Sequence, residues 1–326
     1  MKKFLAILMT ICLMVSVLSV TAVTAFAAEA ADELPAPAAG VVLRVSGLKT
    51  DGTTEVIKDY NNFEDGWNYA IEQALPKNLK SNKYERIVVD FYDDWSANAK
   101  GEFGDDDGDG FDNTTIYFPD DVKITLNLKN HTIDRHLKEW EFDGEVMYID
   151  DDADVIINDG TITGGWSNNG AGGIHVKDNV TLTLNNVHIV GNTADDADGG
   201  GIALCNEAVF TMNGGSFRDN RLIGITKGDC GGAIYMNDST ATFNNVEFYN
   251  NTTQIDDSYG TAIYAEDSKV ALNNCTFEAN NLSNMNVSTF YSSVIFAEDS
   301  TFTVKDSTFS LTPTFRSTFV RHTCRS

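Results

Sequence analysis

The chain has 326 residues and a formal net charge of −25, from 23 Lys and Arg against 48 Asp and Glu. That balance excludes a nucleic-acid binder, because phosphate recognition rests on Lys and Arg, and it disfavours polyanionic substrates such as polygalacturonate unless a bound cation screens the repulsion. With 42% hydrophobic residues the chain is not generically disordered, and none of its five prolines lies between Asp120 and Thr312, which points to a long unbroken β architecture, since a proline deletes a ladder donor.

Residues 1–27 read as a signal peptide. Lys2 and Lys3 open it, an apolar run extends from Phe4 to Val23, and Ala25-Phe26-Ala27 offers small residues for cleavage after Ala27. No later segment is apolar enough to span a membrane, so a secreted or cell-surface protein is expected. Residues 28–40, rich in Ala and Pro, form a linker, and 41–114 an N-terminal cap region. Within it one helix is predicted over 62–75. Phe63, Trp67, Ala70, Ile71 and Ala74 share a face, Asn62 caps, Glu64 and Asp65 occupy the first turn, and Pro76 stops it. Tyr84 to Trp95 reads as a strand. Then comes GDDDGDGFD, Gly104 to Asp112, in which Asp105, Asp107 and Asp109 alternate in a glycine-permitted loop. Such carboxylates can converge on a hard cation, which makes the loop a candidate calcium site. The loop is no EF-hand, because Ile116 stands where a Glu is required. The competing reading is a solvated acidic turn.

From about residue 115 the chain repeats. AGGI (171–174), GGGI (199–202), GGAI (231–234), GTAI (260–263) and a degenerate SSVI (292–295) end in Ile174, Ile202, Ile234, Ile263 and Ile295. A second motif follows: IVGN (189–192), FRDN (217–220), FYNN (248–251) and FEAN (277–280), with Phe309 opening a fifth. The interval from isoleucine to second motif is 15, 15, 14, 14 and 14 residues, whereas the return varies between 13 and 18. Half of each unit is therefore fixed in length and half tolerates insertion. Apolar residues alternate within it, as in Ile234/Met236 and Ala241/Phe243, the period of a half-buried strand. Two or three short strands per unit of this length form a coil, stacked in parallel so that inward residues make columns. The predicted columns are Ile174/Ile202/Ile234/Ile263/Ile295, then Ile189/Phe217/Phe248/Phe277/Phe309, and Val187/Val246/Cys275/Ser307. Asn192, Asn220, Asn251 and Asn280 form a fourth, whose amides can bond along the axis. Val122–Leu128 and Ala153–Ile162 read as two weaker units, giving about seven coils over 115–311. Thr312–Ser326, with Arg316, Arg321 and Arg325 but no acid, reads as an irregular tail, the product of a truncated or shifted reading frame or of a fragmentary sequence. Cys205, Cys230, Cys275 and Cys324 show no disulfide or metal spacing, and Cys275 is expected in the core.

The paired GGAI and FxxN motifs resemble the repeats of the polymorphic outer-membrane protein family, and the unit resembles the right-handed parallel β-helix of the pectate-lyase-like superfamily, over roughly 115–311. The resemblance implies an all-β fold, a single-stranded right-handed parallel β-helix with an N-terminal capping helix, and surface display or adhesion. A C-terminal translocator barrel of that family is not visible. The acidic loops at Asp195, Asp196 and Asp198, at Asp229, and at Asp256 and Asp257 offer a cation site, a polar binding face or merely solvated loops. The galacturonase motifs of the superfamily are missing: Asn192-Thr193-Ala194 breaks the first, and neither GHG nor RxK occurs. The best catalytic grouping is Arg218, Arg221 and Lys227 near Asp195 and Asp196. His131 and His136, flanking Asp134, read as turn residues rather than metal ligands. The expected function is an adhesin-like binding module, monomeric and without catalysis, for a glycan or a host or cell-surface protein; the alternative is a carbohydrate-active lyase or glycosidase.

Overall fold

The computed structural model describes residues 34–96, 115–136, 144–224, 230–254, 259–282, 293–310 and 320–322. Contacts divide the chain into two units, 1–36 and 37–326, and every described helix and strand lies in the second.

That unit opens with an antiparallel hairpin, β1 (Leu43–Lys49) and β2 (Thr54–Tyr60). Helix α1 (Phe63–Ala74) follows, with the Asn62 side chain accepting from the Asp65 N–H at 3.0 Å and Trp67, Ala70 and Ala74 buried. The sequence reading of this helix holds except at its end. Pro76 does not simply stop the chain: it opens a second helix, α2 (Pro76–Asn82), because proline's missing N–H costs nothing in a first turn. Strand β3 (Tyr84–Phe91) pairs antiparallel with β1 on one side and parallel with Lys123–Asn127 on the other. The parallel ladder therefore starts upstream of residue 115. The hairpin and α2 were not foreseen.

The rest is an all-β parallel solenoid of about six turns. Each full turn runs through a strand of an eight-stranded sheet, then a fifteen-stranded long sheet, then a short sheet of five strands. The isoleucine column is paired rung by rung as expected, and so is the Ile189–Phe309 column. Phe217, Phe248, Phe277 and Phe309 stack with centroids 5.2, 4.4 and 4.6 Å apart. Cys275 is buried, its thiol donating to the Phe243 carbonyl at 3.5 Å, and its N–H donates to Ser307 Oγ. The tail contributes one strand that the irregular reading missed, because Val320–His322 pairs in parallel with Phe296–Glu298.

Two features of the repeat explain its motifs. The first glycine of GGGI, GGAI and GTAI has positive φ (Gly199 +77°, Gly231 +82°, Gly260 +67°), where a side chain is strained. The next position lies against the following turn, since a Cβ on Gly200 would meet the carbonyl oxygen of Gly232. The FxxN asparagines are buried, and their amides bond along the axis. Asn192, Asn220 and Asn251 Nδ2 donate to the Oδ1 of the next member at 3.1, 3.0 and 2.9 Å. The backbone N–H of each donates to that same oxygen. Nδ2 of Asn220, Asn251 and Asn280 also donates to a carbonyl of the preceding turn, at Ile189, Phe217 and Phe248.

Three stability outcomes are expected. Phe248→Ala should cost about 3–5 kcal/mol, as a fully buried phenylalanine truncation does; a loss below about 1 kcal/mol in denaturant unfolding would contradict the register. Asn220→Ala leaves the Asn192 donors and the Ile189 carbonyl unpaired inside, so it should cost more than about 2 kcal/mol, and clearly more than Asn213→Ala on the exposed face. Buried Arg44 grips Asp59 at 2.6 and 2.8 Å, and that hydrogen bond holds the Asp59 carboxyl below its ordinary range. A depressed carboxyl stabilises the fold above its unfolded value and ceases to as pH falls through the folded one. The stability gap between wild type and Asp59→Asn should therefore be full at neutral pH and shrink below about pH 4.

Candidate binding surfaces

The outward residues of the two larger sheets form columns as regular as the inward ones. On the long sheet, Thr125, Ile156, Thr183, Thr211, Thr242, Ala271 and Thr303 occupy successive rungs. Two residues along each strand lie Asn127, Asn158, Asn185, Asn213, Asn244 and Asn273, then Lys305. These asparagines build a second amide ladder that the repeat motifs did not reveal. Each Nδ2 donates to the Oδ1 of the preceding rung at 2.8–2.9 Å, and Asn127 donates to Asp90. An amide has two N–H donors and two acceptor lone pairs. One of each serves the ladder, which leaves one donor and one acceptor per amide for another partner. Rungs are about 4.8 Å apart, and the two columns about 6.7 Å. Between Asp90, on the rung before Asn127, and Lys305 at the other end, neither column carries a charge, in a chain of which 22% is charged.

The eight-stranded sheet presents rings instead. Tyr117, Tyr148, His175, Ala203, Tyr235, Tyr264 and Phe296 share one outward column. Tyr117 and Tyr148 stack at 5.9 Å, Tyr235 and Tyr264 at 5.6 Å, Tyr264 and Phe296 at 5.3 Å. Rings that stack along the axis turn their faces to one another and only edges outward, so the column is no platform for a sugar ring laid along it. Tyr264 and Phe296 are buried, while Tyr117 is 46% exposed and donates to Asp150 at 2.6 Å. Burial followed by the Asp150 charge pushes the Tyr148 hydroxyl up to about 12. Burial pushes the His175 imidazole down to about 4, with Lys177 adding to the shift, so it is neutral. Its Nε2 lies 3.9 Å from Cys205 Sγ.

The short sheet gathers part of the expected catalytic grouping and disperses the rest. Arg221 packs over the Trp166 ring at 5.2 Å and donates to Thr193 Oγ1 at 2.9 Å, and the Trp166 indole donates to Asp195 at 3.2 Å. Arg218 sits instead at the end of a long-sheet strand, paired with Glu247 and packed on Tyr249. Asp196 adopts a left-handed turn conformation, and Asp198 accepts from the Cys230 N–H at 2.6 Å. His131 and His136 do not converge, taking separate carboxylates, Asp94 at 3.1 Å and Asp134 at 3.6 Å. Lys227, Asp229, Asp256 and Asp257 lie outside the described residues, as does the proposed calcium loop with Asp105, Asp107 and Asp109. Among the described residues no three or more His, Cys, Asp or Glu side chains gather as a metal site, and no helix is long and apolar enough to cross a membrane. Cys205 and Cys275 are free thiols.

No protein-family model matches the chain, and no curated protein or solved structure is significantly similar to it.

Proposed function

We propose that the chain is an exported surface module that binds an uncharged, hydroxyl-rich polymer, a neutral glycan, along the long sheet. The observation that carries this reading is the pair of uncharged Thr and Asn columns, held in register over successive rungs. A repeating array of hydroxyls and amides complements a ligand that repeats hydroxyls. Its rigidity, enforced by the amide ladder, lowers the ordering cost of binding. The strongly negative remainder of the protein would repel an acidic polymer. The resemblance of the GGAI and FxxN repeats to polymorphic outer-membrane proteins, and of the coil to pectate-lyase-like β-helices, supports display at a cell surface and an adhesin-like role. The contact is multivalent and involves no turnover.

A carbohydrate-active enzyme is the second reading, favoured by the Trp166, Arg221 and Asp195 cluster. It places an aromatic ring, a cation and a carboxylate on one outward face.

The test measures binding of the mature chain to immobilised cellulose, xylan, α-glucan, chitin and polygalacturonate, while soluble products are assayed in parallel. Binding to one or more neutral polymers, weakened roughly tenfold or more in Thr183→Val/Thr211→Val, which removes two hydroxyls but keeps the branched shape, without a fall in melting temperature, is the expected result. Binding that ignores the double substitution would place the site elsewhere. Product release that disappears in Asp195→Asn would replace the adhesin reading with the enzymatic one.

A further inference from the structure

The ring column of the eight-stranded sheet has one rung without a ring, Ala203, between His175 and Tyr235. Beside it, two residues along the same strand direction, stands Cys205, partly exposed. The imidazole above reaches diagonally to that thiol, with Nε2 3.9 Å from Sγ. We propose that Cys205 and His175 form a two-ligand site for a soft, thiophilic metal ion of the copper(I) class.

Four observations support it. Thiolate and neutral imidazole are the ligand types that soft ions select. With metal bonds of about 2.3 Å to sulfur and about 2.0 Å to nitrogen, values typical of zinc sites, a 3.9 Å separation is spanned by one ion at a wide ligand–metal–ligand angle. The imidazole turns Nε2 rather than Nδ1 toward the thiol. Its orientation is fixed as well: Tyr148 packs against one face at 5.0 Å, and the Gly170 backbone lies so close to Nδ1 that any side chain there would collide with it. Ala203 contributes only a methyl group at the rung between, which leaves the thiol and imidazole facing each other with no larger side chain on that rung.

Lys177 is the largest charge acting on both groups, opposed by Asp178 and Asp198 at the thiol and by Asp150 at the imidazole. Without metal the thiol is protonated, since burial raises its pKa. Binding forms the metal–sulfur bond, breaks the S–H bond and releases that proton to solvent, with no change in oxidation state. The competing account is a plain S–H···N hydrogen bond between two neutral groups, with no metal function.

Reduced full-length protein is titrated with copper(I) against a chromophoric chelator, and separately with Cd²⁺, whose thiolate complexes absorb in the near ultraviolet. The expected result is one tight equivalent and a thiolate band in the wild type, both lost in Cys205→Ser. His175→Phe, which keeps a ring in the stack, should weaken binding roughly tenfold or more. Cys12→Ser, Cys230→Ser, Cys275→Ser and Cys324→Ser should behave as wild type. A melting temperature raised by copper(I) in the wild type and unmoved in Cys205→Ala reads the same site independently of the spectra. Absence of a band in the wild type, or stoichiometry unchanged in both Cys205 variants, would overturn the proposal and return the pair to a hydrogen bond.

Discussion

Everything in the solenoid depends on one constraint: each residue must tolerate its own counterpart one turn away. Parallel rungs lie about 4.8 Å apart, so a side chain that cannot bond or stack at that distance clashes, repels or leaves a void. Phenylalanine meets it by face-to-face stacking, as Phe248 and Phe277 do with planes 3° apart. Asparagine meets it because its amide is both donor and acceptor, so one amide can satisfy the next without limit. Serine does so at another corner, where the N–H groups of Ser239 and Ser268 donate to Ser268 and Ser300 Oγ. The buried amides have a further task. They pair backbone groups at the bend between the long and short sheets, where the ladder is interrupted and unpaired groups would be costly.

The same constraint accounts for part of the acidity. A coil must bend sharply several times per turn, and the bends use left-handed residues. Asp152, Asn179, Glu207, Asp238, Asp267 and Asp299 do so at the corner leaving the eight-stranded sheet, and Asp159, Asn186, Asn245, Asn274 and Asp306 within the long sheet. Asn and Asp are the non-glycine residues that enter this region most readily. Some carboxylates are therefore at corners for conformational reasons. Where they crowd there is a visible cost. Asp150, followed by burial and the charge of Asp151, raises the Asp120 carboxyl above its ordinary range.

The columns were legible because the first half of each unit has nearly constant length. Fifteen or fourteen residues between isoleucine and the second motif leave no freedom for the register, so Ile202 must lie over Ile174 and Phe248 over Phe217. Helix α1 was legible from its cap and apolar face. Helix α2 was not, because Pro76 carries opposite meanings after one helix and at the start of another, and only Leu75, extended at ψ 141°, separates the two. The β1–β2 hairpin lies outside the repeat and had no periodic signal to reveal it. The outer asparagine ladder could have been found. Its members recur at 10 or 11 residues behind Ile174, Ile202, Ile234 and Ile263, but they are polar, and the apolar alternation that marks the buried columns does not mark them. The contact between His175 and Cys205 was out of reach in principle. The residues are 30 apart in sequence and meet diagonally, a relation that no in-register alignment brings together.

The three outer faces differ because each answers a different neighbour. The short sheet leads into the return segment, the part whose length varies between 13 and 18 residues, so its surroundings change from turn to turn and no column persists on it. The eight-stranded sheet receives that segment, and its rings are progressively covered. Tyr117 is 46% exposed, whereas Tyr264 and Phe296 are buried, with Tyr259 packed against Phe296 at 4.5 Å. Only the long sheet is bounded on both sides by corners of fixed length. It alone can keep the same groups at the same spacing over the whole ladder, and it does so with threonine and asparagine rather than with the charges that fill the corners. Like charges stacked rung on rung would repel at about 4.8 Å, so a regular column must be neutral or alternate in sign. Neutrality combined with regularity is the combination a repeating, uncharged ligand can read, and it arises from the stacking rule that holds the core together.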